Sequence, residues 1–101
     1  MAVGTIVRLP EGVTAEQYDA VTAQLDLENN PIDGNLVHCA GDLEGRFQIF
    51  DVWESLEHND RFVQERLIPA QKAAFGEEAF AQLPPADRTT AEIHHLIIPG
   101  T

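Results

Sequence analysis

The sequence predicts one α+β domain over residues 1–101, with elements in the order β-α-β-β-α-β and a four-stranded antiparallel sheet. Three observations carry this. Four short apolar-rich runs have the alternation or length of strands, two stretches between them show helical spacing behind a capping residue, and turn residues separate the runs. A chain of 101 residues suits a single domain, and its core is thin.

Val3, Thr5, Val7 and Leu9 alternate with Gly4, Ile6 and Arg8 in the first strand, closed by Pro10-Glu11-Gly12. Thr14 then caps a helix, with Gln17 three residues on as a capping box requires. Val13 and Tyr18 hold the staple positions around that cap. Tyr18, Val21, Thr22 and Leu25 recur at i, i+3, i+4 and i+7 and mark one buried stripe, which ends before Asn30-Pro31 and Asp33-Gly34.

Residues 35–40 (NLVHCA) and 46–53 (RFQIFDVW) are the second and third strands. If Asp42-Leu43-Glu44-Gly45 is a four-residue loop with Gly45 left-handed at its end, Gly41 pairs with Arg46. Counting outward sets His38 opposite Ile49 and Leu36 opposite Asp51, so His38, Asp51 and Trp53 share one face. A slip of one residue would separate His38 from the other two.

Ser55 caps the second helix, which turns Leu56, Asn59 or Asp60, Val63 and Leu67 toward the sheet. Pro69 disturbs that helix but suits the first turn of a new segment through Ala70, Ala73, Ala74 and Phe75. Residues 82–90, with Pro84-Pro85, read as loop, and 91–98 (AEIHHLII) as the last strand before Pro99-Gly100. This is the split βαβ order of ferredoxin-like domains, with both helices on one face. The other face is apolar as well (Phe47 or Phe50, Ile93 or Ile97), so a face-to-face homodimer is expected to cover it.

Seventeen acidic residues against six Lys and Arg give a formal net charge of −11. That charge repels phosphate backbones and anionic membrane surfaces, and no basic stripe offsets it. No apolar run approaches the roughly 20 residues of a membrane helix. MAVGTIVRLP lacks the charged and long apolar regions of a signal peptide. Cys39 stands alone, which excludes an intrachain disulfide and a thiolate zinc cluster and fits a reducing cytoplasm. It is expected as an inert core thiol. Glu11, Glu77 and Glu78 read as solvated surface.

The catalytic candidates are His38, Asp51, His94 and His95. His38 reads either as a core imidazole satisfied by a carbonyl or Asp51, or as a general base with an ordinary pKa of about 6.5. Asp51 would orient the ring and favour the imidazolium. A buried carboxylate needs a partner, and His38, Arg8 and Arg66 are the choices. His94 and His95 are adjacent in the expected last strand and point to opposite faces, so at most one joins His38. With Asp51 and His38 that residue makes a conceivable metal centre, but no recognisable ligand spacing supports one and no metal is expected. Trp53 reads as core packing, or as a pocket wall with its indole N–H free as a donor.

The βαββαβ order, the DVWES stretch after the third strand and the helical ERLIPAQ resemble the dimeric α/β-barrel superfamily, over Val3 to Ile98. Within it, the chain is most similar to small proteins of the antibiotic biosynthesis monooxygenase type. The resemblance implies that two copies pair into a dimeric α/β barrel and that a ligand sits between sheet and helices. Trp53, Asn59, His38 and one of His94 and His95 match its lining positions, with Phe62 and Tyr18 as further substrate-binding residues. Members include cofactor-independent oxygenases that turn anthrones into quinones, haem-degrading enzymes, muconolactone-type isomerases, polyketide cyclases and proteins without known activity, so the fold does not assign a reaction. Haem-degrading members carry a ligand His on this helix. His58, at the third helical position, should face solvent, which argues against haem.

The resemblance implies an enzyme without a cofactor, acting on a hydrophobic aromatic or polyketide-type small molecule. His38 or a fourth-strand His would abstract a proton, Trp53 and Asn59 would hold the anion, and the anion itself would react with dioxygen. A cyclase or isomerase using the same base is the alternative, and so is a dimeric ligand-binding or accessory protein without turnover.

Overall fold

Thr14 starts the first helix as its side chain predicts. Gln17 N–H donates to Thr14 Oγ1 at 3.2 Å, and Thr14 N–H donates to Gln17 Oε1 at 3.0 Å. The computed structural model describes residues 2–100. They form β1 (Val3–Arg8), α1 (Ala15–Leu25), β2 (Asn35–Leu43), β3 (Arg46–Trp53), α2 (Leu56–Phe62), α3 (Ile68–Phe75), α4 (Glu77–Ala81) and β4 (Asp87–Glu92). The antiparallel sheet runs β2-β3-β1-β4, the ferredoxin-like order.

The β2–β3 hairpin closes more tightly than a four-residue loop. Leu43 pairs with Arg46, leaving Glu44 and Gly45 as the turn at φ 54° and 81°. Two left-handed central residues match the strand twist of a two-residue hairpin. His38 consequently faces Asp51 rather than Ile49, which pairs with Ala40, and a bulge at Asn35–Val37 displaces Leu36. The pairing is two residues from the expected one. Because side chains alternate with a period of two, each stays on its expected face.

The last strand departs further from expectation. It is Asp87–Glu92, within and just beyond the segment that reads as loop, and all six residues are exposed. As an edge strand it pairs only with β1, Val7 opposite Arg88 and Val3 opposite Glu92. Polar edges resist pairing with other chains, and that polarity hides the strand from a search for apolar alternation. His94 and His95 lie beyond β4, both exposed, so the opposite-face argument does not apply to them.

Ser55 Oγ accepts from His58 N–H at 3.3 Å to cap α2. Val63–Leu67 then widens into a π turn, where Ile68 N–H reaches the Val63 carbonyl, and Pro69 stands in the first turn of α3. Proline has no N–H to give and crowds the carbonyl four residues back, and a wider turn relieves both. Helix α4, after Gly76 at φ 86°, is an element the sequence did not announce.

The helices cover the face bearing Thr5, Asp51 and Trp53, where Trp53 and Thr5 are each 1% exposed. Ile6, Val37, Phe50 and Val52 point the other way, by their pairing across β1, β3 and β2. Cys39 is on that outer face and exposed, with its thiol 3.7 Å from the Phe50 carbonyl. It is not a core thiol. Among the described residues no helix is long and apolar enough to cross a membrane.

Candidate functional site

Between the sheet and the helices lies a cavity of about 750 Å³, lined by Tyr18, His38, Asp51, Trp53, Asn59 and Phe62 among largely apolar neighbours such as Val21, Ile49 and Leu67. The α1 stripe supplies Tyr18, the β2–β3 hairpin supplies His38, Asp51 and Trp53, and α2 supplies Asn59 and Phe62. His94 and His95 are not in its wall.

Asp51 is 7% exposed and therefore needs compensation. Its Oδ1 lies 2.6 Å from His38 Nδ1, and Asn35 Nδ2 donates to the same oxygen at 3.5 Å. Arg66 serves elsewhere, donating to the carbonyls of Leu25, Asn30 and Pro31 at 2.8, 2.7 and 3.0 Å. In neutral His38, Nδ1–H donates to the carboxylate and Nε2 is the acceptor. That acceptor is 2.5 Å from Tyr18 Oη. The hydrogen bond to Asp51 raises the His38 pKa above its ordinary value, the Asp51 charge adds to this, and partial burial opposes it. Burial pushes the Tyr18 phenol up, and the Asp51 charge pushes the same way.

Trp53 Nε1–H donates to Thr5 Oγ1 at 3.2 Å, so the indole N–H is not free for a ligand. What Trp53 brings is its ring, tilted 38° against Phe62 with centroids 5.5 Å apart. Asn59 is 5% exposed, and its Oδ1 accepts from Arg88 Nη1 at 2.8 Å. A guanidinium only donates, so this bond fixes the amide and leaves its NH₂ as the group Asn59 can offer to a ligand. Arg88 also donates to Asp60 Oδ1 at 2.9 Å. Arg88 is a site residue that the sequence pattern conceals, since it lies in the stretch that reads as loop. The Thr89-Thr90 pair, β-branched and favoured in strands, was the available hint.

Among the described residues one trio has metal-ligating atoms close together: Asp33, Glu54 and His58, within 4.8 Å of one another. It stands outside the cavity. His58 does not simply face solvent, since its ring packs on Gly34 so closely that a Cβ there would collide with it. Its Nδ1 is 2.7 Å from Ser55 Oγ, while Arg61 Nη1 stands 3.5 Å from Asp33 Oδ2 and already supplies a cation. The trio is an exposed ion-pair cluster, distinct from the His38–Asp51 centre.

No protein-family profile matches the sequence, and neither does any curated protein. Solved structures share its fold. A protein of unknown function from Nitrosomonas europaea superposes with a TM-score of 0.69 at 20% identity, over 99% of this chain and 96% of its own. A candidate antibiotic biosynthesis monooxygenase from Caulobacter crescentus gives 0.65 at 15%, over 93% and 91%. SnoaB, a cofactor-independent oxygenase from Streptomyces nogalater, gives 0.62 at 13%, over 95% and 96%. The molecule is thus an α+β protein of ferredoxin-like order. More narrowly, it has the fold of the antibiotic biosynthesis monooxygenase-like proteins, as the sequence resemblance implied.

Proposed function

We propose that this protein is a monooxygenase-like enzyme that works without a prosthetic group on a hydrophobic aromatic or polyketide-type small molecule. The observation that carries this reading is the His38–Asp51 pair, 2.6 Å apart, in the wall of a mostly apolar cavity. Removing a proton from an activated carbon leaves a delocalised anion, and the imidazolium formed is stabilised by Asp51. The Asn59 amide is available to hydrogen-bond the anion's oxygen, and the aromatic wall packs against its rings.

An electron-rich carbanion gives an electron to dioxygen, and the substrate radical and superoxide join in a C–O bond. The peroxide takes back the proton held by the imidazolium, and the hydroperoxide loses water to leave a ketone. For a methylene substrate the balance is R₂CH₂ plus O₂ to R₂C=O plus H₂O, so no external reductant is consumed. The fold likeness to SnoaB, itself a cofactor-independent oxygenase, supports this reading. A homodimer through the outer sheet face belongs to the same proposal, because Phe50 is 52% exposed in one copy.

The test is an anthrone incubated with wild type and His38→Ala, in air and under nitrogen, following dioxygen uptake and product. Product only in air, and lost in the variant, is the expected result. Product under both gases assigns the site to cyclisation or isomerisation. Binding with no product under either makes the protein a ligand-binding one.

A further inference from the structure

We infer that the base is a three-part relay in which Tyr18, rather than His38, meets the substrate proton. This rests on the proposed function and adds to it a group in direct contact with substrate. An imidazole has two nitrogens, and both of those in His38 are taken: Nδ1 by Asp51 at 2.6 Å and Nε2 by Tyr18 Oη at 2.5 Å. Direct attack by His38 would first break the second bond and leave a half-buried phenol without its partner. Tyr18 Oη, by contrast, keeps lone pairs to accept with, and Tyr18 lines the cavity.

The proton moves in two linked transfers. A substrate C–H or O–H proton passes to Tyr18 Oη while the phenol's own proton passes to His38 Nε2. The electrons of the broken bond stay on the substrate. One proton leaves the substrate, His38 becomes an imidazolium paired with the Asp51 carboxylate, and Tyr18 is neutral before and after. The coupling matters because a free tyrosinate is disfavoured where burial and the Asp51 charge both oppose it.

The geometry is held from three sides. The Thr14–Gln17 capping box fixes the first turn of α1, and Tyr18 packs on Phe47 with ring centroids 5.1 Å apart. The β2–β3 register sets His38 directly opposite Asp51. Asp51 on β3, Tyr18 and Asp19 on α1, and Cys39 on β2 are the titratable groups around the relay.

The experiment is hydrogen–deuterium exchange at the methylene of an anthrone in D₂O under nitrogen, which reads proton removal without any oxygen chemistry. Wild type, Tyr18→Phe and His38→Gln are compared, with anthrone affinity measured by the fluorescence of Trp53. Tyr18→Phe is expected to slow exchange at least about hundredfold, in the range of general acid–base catalysis, with affinity within about threefold. His38→Gln should be comparably slow. The wild-type rate should climb with pH through the raised His38 pKa, and Tyr18→Phe should lose that dependence. Exchange within about threefold of wild type in Tyr18→Phe, but lost in His38→Gln, would overturn the relay and leave His38 acting directly, with the proposed function intact. No exchange in wild type would overturn the relay outright, and the dioxygen assay then decides whether the wider reading falls with it.

Discussion

The two faces of the sheet are made by the same strands and have almost nothing else in common. Inside, His38, Asp51 and Trp53 each have a named hydrogen-bond partner and line the cavity, with Asp51 and Trp53 buried and His38 exposed. Outside, Ile6, Val37, Cys39, Phe50 and Val52 form an apolar surface on which Cys39 and Phe50 are exposed, while Ile93, just beyond β4, packs close against Gly4. Phe50 and Asp51 are neighbours in sequence, yet one is 52% exposed and the other 7%. The proposed chemistry and the proposed dimer contact thus fall on alternate residues of one strand, and substitutions can address them separately.

The largest effect is expected on the inner face. Trp53→Ala should cost roughly 3–5 kcal/mol in urea denaturation, because it empties the most buried ring position and strips Thr5 of its donor. Next comes the outer face. Phe50→Asp should weaken the proposed dimer at least about hundredfold, close to 2.7 kcal/mol, with the far-ultraviolet spectrum unchanged. Sedimentation velocity checks it, and a wild type that is already monomeric at micromolar concentration would remove the contrast between the faces.

Asp51→Asn should lower the His38 pKa, ease the upward push on the Tyr18 phenol, and slow proton removal, since the imidazolium loses its carboxylate partner. The His38 titration followed by NMR should fall from its raised position to about 6.5 or lower, since the hydrogen-bonded carboxylate is the main cause of the rise. The smallest effect is on stability. A raised folded-state pKa means the His38–Asp51 pair contributes fully below the unfolded value of about 6.5 and loses that contribution as pH climbs through the folded one. The stability gap between wild type and His38→Gln should therefore be wider at pH about 5.5 than at about 8.5, read from urea midpoints. An equal gap at both would show that folding does not raise the His38 pKa.

Much of this arrangement is legible in the residues, and the failures have physical causes. The shared face of His38, Asp51 and Trp53 survives a wrong turn length because an error of two residues preserves parity. The π turn beside Pro69 answers a proline that breaks a helix, although nothing in the residues says the relief takes that form. β4 is misplaced because apolar alternation marks strands with a buried face, and this edge strand has none. His94 and His95 go with it. Tyr18 is legible as a staple residue, but a hydroxyl's partner twenty positions away depends on how α1 lies across the hairpin.

The π turn at Val63–Leu67 has one more implication. Each residue of an α-helix turns the chain by about 100°, so a single surplus residue resets the phase between the turns before it and the turns after it. With it, Asn59 and Phe62 look into the cavity while α3 lies along α1. Winding these same residues as a regular α-helix would swing one of those surfaces away by about 100°. The helical arm can aim its two halves at different neighbours because it carries this shim.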